Sequence, residues 1–387
     1  MTDKSKHQNR TDGAPLPFQI PDRRFDQRNE MFKRRTWDEK ILPHGNRLYG
    51  QVHYQEQYGY RKLDFALRNA AWNMEYGFGF GSMRGNSGLY SWTEVADKVK
   101  RFIETDGRVE HSPEENSRIV KKAARFLGAD LVGICNAHPN LIYSHELDLT
   151  SMEHRAIELP DGCTNAVVLA VEMDYESARY SPDAISGAST GLGYSMQAVL
   201  ANLVATFIRG LGYRAIPSGN DTALSIPLAM AAGLGELGRM GLLITEPFGP
   251  RVRICKVFTD MPLEYDGYRP FGVTEFCRTC KKCAVSCPSQ SIPFGEPTFE
   301  GPSTSNFSGV SKWYIDPEAC FLFWVKNWMD CNNCVRVCPF NKPPGLLHDS
   351  VRYFIRKMPS LNRLMIWLDD LFGYGKPIST KDFWETQ

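Results

Sequence analysis

Eight of the chain's eleven cysteines fall between residues 277 and 338, and that crowding limits the fold more than any other feature. The run CRTCKKCAVSCP at 277–288 reads CxxCxxCxxxCP, and a second run, CNNCVRVCP, closes at Cys338. Three thiolates at three-residue spacing reach three irons of one cubane, while the fourth, turned away by the following proline, serves another cluster. Crossed pairing then puts Cys277, Cys280, Cys283 and Cys338 on one [4Fe–4S] cluster, and Cys287, Cys320, Cys331 and Cys334 on the other. Paired CxxC motifs also build structural zinc sites, but zinc has no use for a CxxCxxC run or for two CP endings. The CxxxCxxC of a radical-SAM site does not occur, and eight soft thiolates without intervening histidine disfavour a Rieske centre. A disulfide framework is excluded by the length of the chain and the clustering of its thiols. Cys135, Cys163 and Cys255 lie singly in apolar surroundings and read as buried thiols.

One departure from a plain ferredoxin motif stands out. Ten residues separate Cys320 from Cys331, and four of them, Phe321, Phe323, Trp324 and Trp328, are aromatic. Two clusters imply one-electron transfer, yet the cysteine region occupies under a fifth of the 387 residues. The remainder is long enough for further cores and must hold an electron acceptor or a substrate.

Charge narrows the partners. The formal net charge is +1, with no block of like charges, so nothing points to nucleic acid or an anionic membrane surface. MQAVLANLVATFI at 196–208 is too short and too interrupted by Gln197, Asn202 and Thr206 to span a bilayer, and reads as a core helix. The polar start MTDKSKHQNRTDGAP carries no apolar segment. Two arginine pairs, Arg23 with Arg24 and Arg34 with Arg35, resemble twin-arginine signals but read as solvated charge. The expected location is cytoplasmic for the chain as given, or the outer face of the cytoplasmic membrane if a twin-arginine pre-sequence belongs to the precursor.

The pattern divides the chain into four. Residues 1–112 are irregular and rich in Gly, Arg, Tyr and Trp, a wrapping unit with short helices. From 113 to 270 strands and helices alternate, with an insertion at about 136–164, which argues a sheet domain of α/β or α+β type. SPEE at 112–115 offers Ser112 as N-cap, Pro113 at the first helical position and Glu115 at the capping-box position, predicting a helix to about Leu127. Strands are predicted at 129–135, 165–171, around GYRAIPS, at 241–245 and at 251–259, with helices at about 194–209 and 224–232. Residues 271–345 form the Pro-rich metal region, and 346–387 an amphipathic tail expected to pack back on the sheet domain.

GVTEFCRTCKKCAVSCPSQSI, GLGELGRMGLLITEPFGPRVRICKVFTDMPL and GADLVGIC together resemble the reductive dehalogenases, especially the respiratory type acting on chloroethenes. The likeness runs from about residue 65 to 380 and includes the stretched gap after Cys320. It implies an α+β fold: a nitroreductase-like cobalamin-binding α/β sandwich joined to a bacterial ferredoxin-like domain with two [4Fe–4S] clusters. It implies an oxidoreductase of organohalide respiration in anaerobes, removing halogen from a small haloalkene or haloaromatic by way of Co(I). The cofactor would be cobalamin or a norcobalamin-type corrinoid held base-off, and the sequence has no DxHxxG motif to supply a lower ligand. Implied partners are an electron donor (quinol-linked, a ferredoxin or a flavodoxin) and a small membrane anchor protein, with a homodimer frequent in the family. The alternative is an epoxyqueuosine reductase-like corrinoid and iron–sulfur reductase acting on tRNA, a family similar around GLGELGRMG that uses Asp where Tyr194 stands.

Family catalytic residues map onto Tyr194 as proton donor, Asn220 and Arg253, at spacings of 26 and 33 residues. An unperturbed phenol ionises near ~10, and an adjacent guanidinium favours the phenolate, which makes a phenol a better acid. Because open sheets bind ligands at the carboxyl ends of their strands, Ser218, Gly219, Arg239 and Met240 are expected to face the corrin. The aromatic insert is expected to wall a dry substrate pocket, with Trp324 matching a pocket residue and Tyr90 and Trp92 joining it from the wrapping unit. Apolar burial would supply the affinity there. At Asp330, just before Cys331, the tetrachloroethene enzyme carries an aromatic residue.

Overall fold

The computed structural model describes residues 15–50, 53–79, 88–93, 100, 107–149, 151–343 and 345–385. Four strands, β1 (Leu131–Asn136), β2 (Asn165–Glu172), β3 (Ala215–Ser218) and β4 (Val252–Thr259), form an antiparallel sheet in the order β1–β2–β4–β3. Val167 at the sheet's middle faces Ile134 on β1 and Val257 on β4. Side chains alternate between faces: Val167, Leu169, Cys255 and Val257 enter one core, Ala166, Val168, Ala170 and Phe258 the other. Both faces are covered, so these strands read as continuous apolar runs rather than alternating ones. The predicted strand at 241–245 shrinks to Leu243–Ile244, paired with Glu236–Leu237.

Four helices matter for the site in this half. They are α1 (Lys62–Met74), α2 (Pro113–Phe126), α3 (Ala184–Gly210) and α4 (Ser225–Ala231). Ser112 caps α2 by accepting from the Glu115 amide, but Glu115 turns to Arg118 instead of closing the expected capping box. The central helix α3 begins ten residues before its predicted start at Tyr194. Asp183 caps it through the amides of Ile185 and Ser186. Gly187, Gly191 and Gly193 disguise this first part as a loop, because glycine is a poor helix former. Each is there for close packing: an added Cβ would lie 2.2 Å from the Trp72 ring at Gly191 and 2.8 Å from Arg253 at Gly193. By length and composition α3 could cross a membrane, yet 56% of its most apolar window is buried inside the protein. It packs between the sheet and α1, the core role predicted for it.

The aromatic insert is helical. Asp316 caps α5 (Pro317–Asn327) through the amides of Glu318 and Ala319, Pro317 takes the first helical position, and Trp328 ends the helix at φ 58. Phe321 and Val325 are 2% and 3% exposed and pack with Met31 and Ile41 of the wrapping unit. Glu318 adds ion pairs to Arg34 at 2.8 Å and Lys40 at 2.6 Å. Arg34 is therefore buried and paired, which corrects its reading as solvated charge; Arg24, likewise, donates to the carbonyls of Ile142 and Tyr143.

The tail touches both halves of the chain. Helices α6 (Leu346–Lys357) and α7 (Asn362–Leu371) place Ile355, Met365 and Ile366 against the cysteine region, and Asp369 pairs with Lys282 and Lys342. The tail also meets the sheet half: Arg352 donates to the Pro247 carbonyl, Phe383 lies edge-on to Tyr180 at 5.6 Å, and Thr380 bonds Asp183, while Trp384 donates to Asp64 on α1. Lysines beside the cluster loops gave the acidic edge of α7 its partner.

Candidate active site

Tyr194, Asn220 and Arg253, separated in sequence, meet at one point. The Tyr194 ring lies between the Trp72 indole, stacked at 5.0 Å, and the Arg253 guanidinium, 4.8 Å from the ring centroid. Asn220 Nδ2 donates to Tyr194 Oη at 2.8 Å. Arg253 donates to Thr190 Oγ1 at 3.4 Å, and its Nε is buried without a partner. The loop carrying Asn220 is pinned from beneath. Lys256, fully buried on β4, donates to the carbonyls of Gly219 and Ala223 and to Ser225 Oγ, while Ser218 Oγ and the Gly219 amide bond Asp221. Burial pushes the Lys256 ammonium down to about 8.

All three residues line one end of a cavity of about 400 Å³. Its walls come from both halves of the chain: Leu224, Met230 and Ile254 from the sheet half, Trp313, Tyr314 and Ile315 from the segment between the two cysteine runs. The lining is largely apolar with a few polar groups, as in cofactor and small-molecule sites. Lys312, also in the wall, has its ammonium 4.6 Å over the Tyr314 ring, and burial lowers it to about 8. No carboxylate pairs with it among the described residues, so a cation is left for the polar rim of a cofactor.

The cysteines gather in two groups. Cys277, Cys280, Cys283 and Cys338 surround a small void between Met240, Phe276 and Phe340. Burial, reinforced by Cys331 and Cys287 nearby, pushes the Cys320 thiol up to about 12, and Cys331 is raised to about 11 by burial. Ser289 Oγ and the Ser291 amide lie within hydrogen-bond reach of Cys287 Sγ. Thiols this buried and this close need a metal centre to exist as thiolates.

The four expected corrin contacts do not line the cavity. Arg239 is fully buried and donates to the carbonyls of Cys277, Pro293 and Gly295; Met240 packs beside the first cysteine group; Ser218 and Gly219 are tied up inside their loop. The rule that placed them applies to parallel sheets, and this sheet is antiparallel. Tyr90 and Trp92 are likewise core residues. Tyr90 is 2% exposed, packs under Gly219, and donates to Glu75, whose carboxyl burial lifts to about 8. Trp92 packs against the core under the other sheet face. Trp324 lies 5.6 Å from Phe32 with its Nε1 buried and unpartnered. Sequence reasoning missed Trp72, Lys256 and Lys312, whose roles follow only from long-range packing.

Comparison with known proteins extends this picture. The family described as 4Fe-4S dicluster domain matches residues 276–342. A tetrachloroethene reductive dehalogenase of Desulfitobacterium hafniense is 36% identical, over 84% of this chain and 73% of its own. A catabolic reductive dehalogenase solved in complex with 3-bromo-4-hydroxybenzoic acid aligns with TM-score 0.73 and 25% identity, over 95% of this chain. A reductive dehalogenase described in terms of B12-dependent dehalogenation gives TM-score 0.72 at 24% identity, over 94% of this chain. The chain spans about half the length of these solved proteins, 49% and 48%.

Proposed function

Because this chain belongs to the reductive dehalogenase family, we propose that it replaces a halogen on a small organohalide with hydrogen, consuming two electrons and one proton and releasing halide. The observation that carries this reading is the Tyr194, Asn220 and Arg253 constellation at the end of an apolar cavity next to two cysteine groups. A corrinoid bound there, in a nitroreductase-like sheet module, would supply low-valent cobalt chemistry for carbon–halogen cleavage, and clusters on the two cysteine groups would supply single electrons. Leu224, Met230, Ile254, Trp313 and Tyr314 would hold its faces and Lys312 its polar rim.

The protein's own contribution is proton delivery. Asn220 donates to Tyr194 Oη, so an oxygen lone pair is used and the phenolic hydrogen is left to point toward the reacting carbon. Loss of that proton leaves a phenolate, and the Arg253 guanidinium over the ring stabilises it. Trp72 stacks on the Tyr194 ring and fixes its orientation.

The test is an anaerobic assay of cofactor-loaded enzyme against haloalkenes and haloaromatics, with epoxyqueuosine-containing tRNA alongside. Tyr194→Phe should keep about eight irons and one cobalt per chain and lose turnover by about 10²–10⁴-fold. Reduction of epoxyqueuosine without dehalogenation would replace this reading with the tRNA one.

A further inference from the structure

We propose that Asp26, His145 and His154 form a zinc site, separate from the active site, that ties the wrapping unit to the sheet half. One ligand atom from each of the three lies within 4.8 Å of the other two. His145 and His154 belong to a two-stranded hairpin, His145–Leu147 against His154–Ala156, inside the insertion at about 136–164. Its register sets His145 opposite Ala156 and Leu147 opposite His154, so both imidazoles rise from one face, diagonally across the two strands. The rings meet at 4.8 Å between centroids. Asp26 arrives from far away in the chain, and its Oδ1 lies 3.0 Å from His154 Nε2.

The spacing suits a metal. Ligands on a tetrahedral zinc ion with bonds of ~2.0–2.1 Å stand roughly 3.3 Å apart, and the Asp26 to His154 pair is already near that edge. His145 closes the remaining distance by a turn of its ring. Its Nε2 has no hydrogen-bond partner among the described residues, while its Nδ1 lies 3.1 Å from Ser144 Oγ. A ligating imidazole is normally fixed by a bond from its other ring nitrogen, and the Ser144 hydroxyl can accept that N–H. Asp26 Oδ1 also accepts the Arg28 amide at 2.9 Å, which steadies the carboxylate and leaves Oδ2 open to an ion. The Ser144 amide donates to the Phe25 carbonyl at 2.9 Å. That bond joins the immediate neighbours of His145 and Asp26, so the fold itself brings the ligands together.

The donor set selects the ion. Two imidazoles and a carboxylate suit zinc, whereas calcium and magnesium take oxygen ligands. Arg155, beside His154, is paired with Glu146, Asp148 and Glu153, which offsets its charge. His154 is exposed, so a water can take the fourth position. Phe18, Pro21 and Glu30, on either side of Asp26 in sequence, line the cavity of the active site, as does Tyr143 just before the hairpin. Zinc bridging Asp26 to the hairpin would brace that wall while taking no part in the chemistry.

The experiment uses the cofactor-loaded protein, so that the cluster cysteines are occupied, and adds zinc alone in anaerobic equilibrium dialysis, with zinc, iron and cobalt counted by mass spectrometry. The unaltered protein should take up about one zinc per chain. His154→Ala and Asp26→Ala should each weaken that uptake by more than about tenfold at unchanged iron and cobalt, since even a partner behind a ligand is worth that much. Zinc should raise the thermal midpoint of the unaltered protein and leave that of both variants where it was. Calcium at the same concentration should do neither. Absence of bound zinc, calcium bound equally well, or zinc held equally by the unaltered protein and both variants, as adventitious metal on other groups, overturns the inference. None of these readouts depends on dehalogenation.

Discussion

Lys256 offers the sharpest test of how the site is held together. Its ammonium is fully buried and serves three acceptors of the loop that carries Asn220: the carbonyls of Gly219 and Ala223 and the hydroxyl of Ser225. Lys256→Met removes all three bonds while roughly preserving volume. Three orphaned acceptors at about 1–3 kcal/mol each cost about 6 kcal/mol. Against this stands the penalty of burying the charge. The shift from 10.5 to about 8, at 1.36 kcal/mol per unit, is worth about 3 kcal/mol. The variant should therefore be less stable by about 3 kcal/mol at pH 7. The sign of the pH dependence follows from the lowered value: between about 8 and 10.5 the unfolded chain binds the proton that the folded one has shed, so wild-type stability rises with pH in that window. The gap between wild type and variant should widen by about 2 kcal/mol from pH 8 to pH 9.5. Anaerobic thermal unfolding at several pH values reads this directly. Activity should fall by about 10²-fold, because a shift of about 1 Å in Asn220 misdirects the Tyr194 proton. A variant of unchanged stability and unchanged pH profile would refute the idea that this ammonium organises the loop.

Further outcomes follow from the packing. Arg239→Met leaves the carbonyls of Cys277, Pro293 and Gly295 without their buried donor, and at about 1–3 kcal/mol each the loop should loosen enough for iron to drop from about eight to about four per chain; full iron retention would show that the loop stands without it. Gly191→Ala forces a methyl to within 2.2 Å of the Trp72 ring, which should cost about 1–3 kcal/mol and shift the tryptophan emission as the ring moves off Tyr194. An unaltered melting curve and spectrum would argue that α1 is free to slide.

What could be read from the sequence divides along a physical line. The cysteine groups were legible because ligand spacing is local: three residues per step is set by the cubane and needs no knowledge of the fold. β2 and β4 were legible as apolar runs for a similar reason. The start of α3 was not, since Gly187, Gly191 and Gly193 oppose helix by propensity and are kept by contacts with Asp330, Trp72 and Arg253 that lie far away in sequence. Arg239 looked like a cofactor contact because a rule for parallel strands was carried to an antiparallel sheet; its actual partners, three cluster-loop carbonyls, are 38 to 56 residues downstream. Tyr90 and Trp92 were placed by aromatic character alone, which does not tell a pocket wall from a core. The mapped Tyr194, Asn220 and Arg253 do converge in space, and Trp72, which completes their enclosure, carries no local signal at all.

The helix formed by the aromatic insert makes the two cysteine groups unequal. Cys320 rides in the first turn of α5, and that turn is clamped by Glu318 to Arg34 and Lys40, with Phe321 seated on Met31 and Ile41. Both groups take their cysteines from residues 277–338, but the second includes one on an element whose footing lies almost three hundred residues earlier in the chain. Slackening that footing should therefore disturb the second cubane before the first.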